Sequence, residues 1–292
     1  MKQQDCLRRF IFEQHAIRGE WVCLHQSWQQ AKQYQVFANA DVEAQLGQAL
    51  AAVVLLAATI KFKGAMILQV QGSGQLKALV AQATHERTIR GLVRSEDTVS
   101  ANTLRGMLGG SGRMVLTLES GNAEPYQGIV SVDEEDLAGV LKTYFVQSEQ
   151  LDTRLWLFAD QNRAAGLFIQ ELPGEQRNRD DWQRIEMLAA TVTADELLSL
   201  DCETLLHRLF HEEQVRLYAP ESVAFACNCS REKIAGTLLA LGRSELENIL
   251  LERKVIDVDC QFCGAHYLFD TPAVLALMET PLHSENLSPT RH

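Results

Sequence analysis

Four of the seven cysteines in this 292-residue sequence form two closely spaced pairs towards its C-terminal end. Cys227 and Cys229 make a CxC motif, Cys260 and Cys263 make a CxxC motif, and thirty residues separate the two. Thiolate sulfurs in two such pairs suit a tetrahedral zinc ion, and Gly264 lets the backbone fold back over a metal. Cysteines that merely pack as small apolar residues are the alternative, but they need no such spacing. The sequence therefore predicts a Zn²⁺ site with these four cysteines as ligands.

The predicted ligand set favours a structural or sensory metal over a catalytic one. A catalytic zinc keeps an open position for water, whereas four cysteines close the coordination shell, which disfavours a metal-dependent hydrolase. The zinc deaminase pattern is missing, because Asp259 stands where that pattern has proline. Two glycine-containing segments, 72–74 and 106–112, lack the other residues of nucleotide-binding loops and are interpreted as turns. We therefore expect no catalytic residues and no enzymatic activity.

Two other groups of candidate ligands are less specific. His207 and His211 lie four residues apart on a predicted helix, among charged residues typical of a solvated helix face. Cys6, Cys23 and Cys202 have no partner at ligand spacing and are expected to pack as small apolar residues. We assign no role to either group.

Charge and hydropathy disfavour nucleic acids and membranes as partners. The 27 Lys and Arg against 38 Asp and Glu give a net charge of −11, so a phosphate-binding surface is not expected. Phe262, Tyr267 and Phe269 are accordingly interpreted as a small core beside the metal, rather than a platform for nucleic-acid bases. The longest apolar run, Ala49 to Ile60, is too short to span a bilayer and predicts a core helix. No secretory signal is visible, so a cytoplasmic protein is expected.

The sequence before the cysteine pairs predicts an α+β fold. Asn39 is placed to cap a helix that includes Leu50, and a second helix is expected to begin at Asp133. Short aliphatic segments separated by glycine-containing turns predict antiparallel strands; they are 66–71, 76–83, 89–93, 114–118, 127–132, 155–159 and 166–170. Helices packed on one face of such a sheet make this an α+β domain.

A helical linker and a small metal-binding domain are predicted to follow. Acidic residues outnumber arginines between Glu171 and Arg216, yet the apolar residues keep helical spacing, so amphipathic helices in need of a partner surface are expected. Two short helices, 232–241 and 244–251, are predicted between the cysteine pairs. The predicted domains are the N-terminal α+β domain, the acidic helical linker, the zinc-binding domain and a disordered tail, at 1–172, 173–222, 223–280 and 281–292.

The residues around the two motifs point to a family. The CxC is followed by Ser230-Arg231-Glu232, and the CxxC by Gly264, Tyr267 and Phe269. This pattern resembles that of the redox-regulated 33 kDa heat-shock chaperone family, with no departure at the four ligand positions. Segments 126–130, 144–151 and 211–215 are also similar to family segments, so the resemblance covers nearly the whole chain.

The resemblance implies an ATP-independent holdase of the bacterial cytoplasm, inactive when reduced and zinc-bound and active when oxidised, commonly as a dimer. Oxidation is expected to release zinc and to form disulfides between Cys227 and Cys229 and between Cys260 and Cys263. The zinc-binding domain and the linker would then unfold and expose apolar surface to unfolding or oxidatively damaged client proteins. In this scheme the N-terminal domain binds clients and forms the dimer.

The main alternative is a constitutive zinc-ribbon module, in which the metal holds an interaction surface for a fixed partner without a redox switch. Thiol reactivity distinguishes the two hypotheses. A purely structural site should resist oxidation while the chain stays folded, whereas a sensor should lose its metal within minutes.

Overall fold

The computed structural model of the chain describes residues 5–121, 123–174 and 178–279. The chain divides into two units, Met1–Cys227 and Asn228–His292. Helices and antiparallel strands are mixed throughout, which confirms the predicted α+β class. The predicted disordered tail, 281–292, lies outside the described residues.

The described residues contain fourteen strands and ten helices. In chain order the strands are β1 (Cys6–Phe12), β2 (Ile17–Leu24), β3 (Gly64–Gly72), β4 (Leu76–Thr84), β5 (Thr88–Ser95), β6 (Gly112–Ser120), β7 (Tyr126–Ser131), β8 (Thr153–Ala159), β9 (Ala164–Glu171), β10 (Val215–Leu217), β11 (Glu221–Ser222), β12 (Ala224–Phe225), β13 (Val255–Asp259) and β14 (His266–Asp270). The helices are α1 (Gln26–Lys32), α2 (Ala40–Thr59), α3 (Leu104–Met107), α4 (Leu137–Tyr144), α5 (Arg179–Ala189), α6 (Ala194–Ser199), α7 (Cys202–Phe210), α8 (Arg231–Ala240), α9 (Arg243–Arg253) and α10 (Thr271–Glu279). A π-helical turn, Phe145–Glu149, continues α4.

The first unit is built on two six-stranded sheets. The first sheet has the order β10-β1-β2-β9-β8, with β11 also paired to β1, and its pairs are antiparallel. The second sheet has the order β12-β5-β4-β3-β6-β7, in which the β12–β5 pair is parallel. All seven predicted strands are present. The division into two sheets is not apparent in the sequence, because it depends on pairing between distant segments.

Helix α2 packs against strands of both sheets and forms the centre of the main core. The Asn39 side chain caps it, as predicted, by accepting a hydrogen bond from the Val42 amide at 2.9 Å. Among the described helices it alone is long and apolar enough to cross a membrane, but 78% of that window is buried within the protein. The apolar run therefore belongs to a core helix, as expected.

The start of α4 differs from the prediction. Asp136, not Asp133, occupies the N-cap position, and its side chain accepts a hydrogen bond from the Gly139 amide at 2.8 Å. Both aspartates fit the local sequence pattern. Asp136 immediately precedes Leu137, the first buried residue of α4, so packing of the buried face places the start of the helix at Asp136.

Helices α5, α6 and α7 cover the face of the first sheet that points away from α2. On β2, Val22 lies in the α2 core, whereas Trp21 lies in a second apolar cluster. That cluster joins Phe10 of β1 to Leu205 and Leu209 of α7. We call this face, with Phe10, Phe12, Trp21 and Cys23, the outer face. It is the partner surface that the amphipathic helices require.

The second unit has a small core of its own. Helices α8, α9 and α10 pack around the β13–β14 hairpin, and the buried core residues are Ala235, Leu238, Leu246, Ile256, Phe269 and Val274. Phe269 is 1% exposed, and the Arg231 guanidinium lies 4.2 Å from its ring centroid. Helices α8 and α9 match the two predicted between the cysteine pairs.

Candidate metal centre

The CxC motif begins two residues after the end of strand β12. This strand pairs in parallel with β5, and the Ala226 amide donates to the Ile89 carbonyl oxygen at 3.1 Å, which fixes the backbone just before Cys227. Arg90, the next residue on β5, has its Nη1 3.7 Å from the Cys227 sulfur. A guanidinium is a strong donor to an anionic acceptor. The second sheet thus supplies both the position of Cys227 and a cation beside its sulfur.

The CxxC motif forms the turn between β13 and β14. The Cys260 amide donates to the Ala265 carbonyl oxygen at 2.8 Å, and the Gly264 amide donates to the Cys260 carbonyl oxygen at 2.7 Å. Gly264 has φ of 67°, the left-handed conformation that glycine adopts without a Cβ clash. The backbone therefore folds back at Gly264, as the sequence predicts. Cys260 is 6% exposed, and Cys263 is partly buried.

The four sulfur atoms converge on one place. The Sγ atoms of Cys227, Cys229, Cys260 and Cys263 lie within 4.8 Å of one another, and those of Cys229 and Cys263 are 3.4 Å apart. A tetrahedral zinc with bonds of about 2.3 Å to sulfur places its ligands about 3.8 Å apart. All seven cysteines lie within the described ranges. The cluster therefore has the composition and the spacing to hold a metal ion.

Besides Arg90, the Tyr267 side chain and backbone amides donate hydrogen bonds to the sulfurs. The Tyr267 hydroxyl donates to the Cys229 sulfur at 3.2 Å, and this bond raises the pKa of Tyr267 to about 12. Burial raises the pKa of the Cys260 thiol, while backbone amides of Phe262 and Cys263 act in the opposite direction. Donors of this kind orient metal ligands and stabilise the thiolate form.

Sequence reasoning missed these outer contacts. It placed Tyr267 in the small core, and the ring does pack against that core, as Phe269 does, but its hydroxyl also reaches Cys229. The contact of Arg90 with Cys227 joins residues 137 positions apart and leaves no local signal.

A second group of possible metal ligands, Asp257, Asp259 and His266, is exposed, and the hydrogen bond from His266 to Asp259 raises the pKa of the histidine.

The other predicted candidates lie elsewhere. His207 and His211 are exposed on and just after α7, consistent with a solvated helix face. Cys23 and Cys202 are buried in the apolar cluster of the outer face, and Cys6 packs against it. These three cysteines therefore pack as small apolar residues, as expected.

Comparison with known proteins identifies one family. A family model described as "Hsp33 protein" matches residues 5–270. The 33 kDa chaperonin of Nitrosococcus oceani is 55% identical over 270 residues, which cover 92% of this chain and 93% of the relative. The 33 kDa chaperonin of Hahella chejuensis is 42% identical over 95% of this chain and 98% of its own length. That of Shewanella frigidimarina is 41% identical over 94% and 95%, respectively.

A solved structure shares the fold. The crystal structure of the 33 kDa chaperonin (heat shock protein 33 homolog) from Thermotoga maritima matches with a TM-score of 0.78 and 22% identity. The match covers 94% of this chain and 98% of the other. At this identity the likeness establishes the common architecture.

Proposed function

The chain belongs to the Hsp33 protein family, and on that premise we propose that it is a redox-regulated, ATP-independent holdase chaperone of the cytoplasm. It holds unfolding or oxidatively damaged client proteins and catalyses no reaction. The convergence of the four cysteine sulfurs within 4.8 Å is the observation that carries the proposal. The predicted division into a client-binding and dimerisation domain, 1–172, a linker, 173–222, and a redox-switch domain, 223–280, is part of it.

In the reduced state the four cysteines hold Zn²⁺. Bound there, the ion keeps the sulfurs as thiolates and ties the β13–β14 turn to the CxC segment. The second unit depends on that tie, because its core has few buried residues and a fragment of this size has little apolar surface to bury. Tyr267 and the backbone amides of the CxxC turn orient the sulfurs in this state.

Oxidation of the thiolates is the switching step. A thiolate attacks the O–O bond of a peroxide and becomes a sulfenic acid, and a second thiol then displaces water to form the disulfide. We propose Cys227–Cys229 and Cys260–Cys263 as the products. The folded cluster brings all four sulfurs within reach, but only neighbours in sequence stay close once the unit loosens. The Cys227–Cys229 disulfide, which spans one intervening residue, closes a strained ring and is readily reduced, which makes the switch reversible.

Loss of the metal affects the linker through the short strands that precede the CxC motif. Strands β10, β11 and β12 contain only three, two and two residues, and they tie this part of the chain to β1 and β5. Once Cys227 loses its metal, the few backbone hydrogen bonds of these strands give little resistance to fraying. Fraying then reaches α7, whose stability depends on packing against the outer face.

Release of α5–α7 uncovers the surface that binds clients. Phe10, Phe12 and Trp21 are at most 2% exposed beneath these helices. Uncovered together, they form a contiguous apolar patch of the kind that binds non-native chains without reading sequence. The net charge of −11 keeps the opened protein and its cargo soluble. The oxidised form is proposed to dimerise.

Peroxide resistance decides between this function and a constitutive zinc-ribbon module. The reduced, zinc-loaded protein is treated with peroxide at mild heat, and zinc release is followed with a chromogenic chelator beside the free-thiol count. The switch predicts loss of the zinc and of four thiols within minutes, with loss of helix signal. Retention of zinc and of those thiols, in a protein that stays folded, would establish the static module instead.

A further inference from the structure

Two of the cysteines without an assigned role face each other across neighbouring strands. Cys6 of β1 and Cys23 of β2 are direct register partners in an antiparallel pair. Side chains of such partners project from the same side of the sheet. Here that side is the outer face, because Cys23 belongs to its apolar cluster and Cys6 packs against the same cluster. The two thiols are therefore neighbours seventeen residues apart in sequence.

The backbone hydrogen bonds of β1 define the kind of pair. The carbonyl oxygens of Asp5 and Arg9 accept hydrogen bonds from the Val223 and Tyr218 amides on the far side of β1. Alternate residues of a strand point their backbone groups to opposite sides, so Cys6 hydrogen-bonds with β2. Cα atoms of a hydrogen-bonded pair are about 5.5 Å apart. Disulfides span Cα separations of about 4.4 to 6.8 Å, so this pair is within bonding range without a change of register.

The two thiols differ in access. Cys6 is partly buried, whereas Cys23 is 1% exposed beneath the α5–α7 layer. A soluble oxidant therefore reaches Cys6 first, and Cys23 is placed to attack the oxidised sulfur from the neighbouring strand. Cys202, the first residue of α7, is 2% exposed in the same cluster, but no strand register places it opposite Cys6.

From this geometry we infer a second redox site, in which peroxide oxidises Cys6 and Cys23 to a cross-strand disulfide independently of the zinc ligands. The Cys6 thiol takes one oxygen from the peroxide, which gives a sulfenic acid and releases water or an alcohol. The Cys23 sulfur then attacks the Cys6 sulfur, the S–S bond forms, and the hydroxyl leaves as water. One peroxide is reduced by two electrons, and two thiols are oxidised.

This site reacts more slowly than the zinc cluster. Burial raises the pKa of the Cys6 thiol and raises that of Cys23 to about 12. The thiolate is the reactive form, and its fraction falls tenfold for each unit by which the pKa rises. We therefore expect this disulfide to form more slowly than the thiolates of the zinc cluster are lost.

The disulfide would act on the surface proposed to bind clients. It joins β1 to β2 within the outer face, and it also holds the strand on which β10 and β11 pair. This consequence rests on the proposed function. The linked strands keep the outer face folded after α5–α7 leave, so prolonged oxidation preserves a client surface that would otherwise unfold. The existence of the disulfide does not depend on that role.

Peptide mapping of the zinc-loaded full chain tests the inference. The parent, Cys23→Ser and Cys202→Ser proteins are treated with hydrogen peroxide at mild heat, quenched by alkylation at intervals and digested with trypsin without reduction. Cys6 lies in peptide 3–8, Cys23 in peptide 19–32 and Cys202 in peptide 185–208. Zinc release and suppression of aggregation of a heat-denatured test protein are measured in the same samples.

We expect a reducible 3–8/19–32 linked peptide in the parent and in Cys202→Ser, and none in Cys23→Ser. Absence of this linked peptide after oxidation has continued well beyond complete oxidation of the zinc cluster, or linkage of 3–8 to 185–208 in the parent, overturns the inference. A different outcome would contradict the proposed function alone. If the linked peptide forms while zinc stays bound and aggregation is not suppressed, the second site stands and the switch does not.

Discussion

The hydroxyl of Tyr267 donates a hydrogen bond to the sulfur of Cys229 across 3.2 Å. Tyr267 stands on β14, immediately after the CxxC turn, whereas Cys229 belongs to the CxC segment ahead of α8. The bond therefore joins the two cysteine-bearing segments without involving the metal. Because it donates to the sulfur of a proposed zinc ligand, its loss should weaken zinc binding by the cluster while the core around Phe269 stays intact.

Tyr267→Phe tests that contact. The ring is kept and the donor is lost, so we expect zinc transfer to a competing chelator to be about tenfold faster than in the parent. Tyr34→Phe is the matched control, because Tyr34 is 52% exposed in the first unit. Equal zinc transfer rates for the parent and both variants would show that the hydroxyl does not support the site.

Removal of the metal should unfold the second unit and leave the second sheet of the first unit folded. Structural zinc contributes about 10 to 16 kcal/mol of apparent binding free energy in small zinc domains, which the small core of this unit cannot replace. With a strong chelator and a reductant present, trypsin should cut at Lys233, Arg243 and Arg253. Lys77 and Arg113 in the second sheet should stay uncut, and added zinc should restore protection. Cleavage that does not depend on zinc would contradict the dependence of the fold on metal.

Weaker docking of α7 should mimic oxidation. Leu205 and Leu209 are at most 3% exposed against the outer face, and truncation of a buried leucine to alanine costs about 2 to 5 kcal/mol. The Leu205→Ala/Leu209→Ala double variant should therefore bind a hydrophobic dye and suppress client aggregation without oxidant, with zinc still bound. His207→Ala, an exposed change on the same helix, should behave as the parent.

If dye binding rises in the double variant without any suppression of aggregation, the outer face is not the client surface. Tryptophan fluorescence distinguishes this result from global unfolding. All four tryptophans lie in the first unit, and Trp28 is 0% exposed beside the α2 core.

Glu20 should make the stability of the first unit depend on pH. It is 2% exposed on β2, and its Oε2 has no hydrogen-bond partner among the described residues. Burial raises its pKa from 4.5 to about 8, despite opposition from Arg18, Arg87 and Arg9, while Glu221 adds to the rise. The native state thus keeps a proton that the unfolded chain releases. The free energy of unfolding should therefore fall as pH rises between these two values.

Glu20→Gln removes this titration. As pH rises from 4.5 to 8, the stability of the variant relative to the parent should increase by at most about 1.4 kcal/mol for each pH unit. Below pH 4.5 the difference between the two proteins should not change with pH. Urea unfolding followed by tryptophan fluorescence measures the difference at several pH values. Glu86→Gln, in the exposed turn between β4 and β5, is the control and should show no such trend. A pH-independent difference between Glu20→Gln and the parent would contradict the assignment of a neutral buried carboxyl.

The sequence predicts those elements of this protein that depend on residues close together in the chain. The strands of the second sheet have aliphatic residues bounded by glycine turns, and the CxC and CxxC motifs have their ligands at fixed spacing, so both are visible in sequence. Strands β1 and β2 are not visible in the sequence. β2, for example, is buried on both faces, and the charged residues Arg18 and Glu20 lie within its sequence. Its partner β9 lies about 150 residues away. Because neither β1 nor β2 is recognised as a strand in the sequence, the pairing of Cys6 with Cys23 is hidden as well.

The outer contacts of the metal cluster are hidden for the same reason. Nothing near Arg90 in sequence indicates that it faces Cys227. The pairing of β12 with β5 creates that contact, and a two-residue strand has no recognisable sequence pattern.

Light scattering of a heat-denatured test protein, measured through one full redox cycle, tests the central claim most directly. One sample is assayed reduced with zinc, then after peroxide, then after reduction and return of zinc. The proposed switch predicts suppression of aggregation in the oxidised sample alone, with its loss on reduction. Equal suppression in all three samples, or none after zinc has left and the thiols have been oxidised, would contradict it.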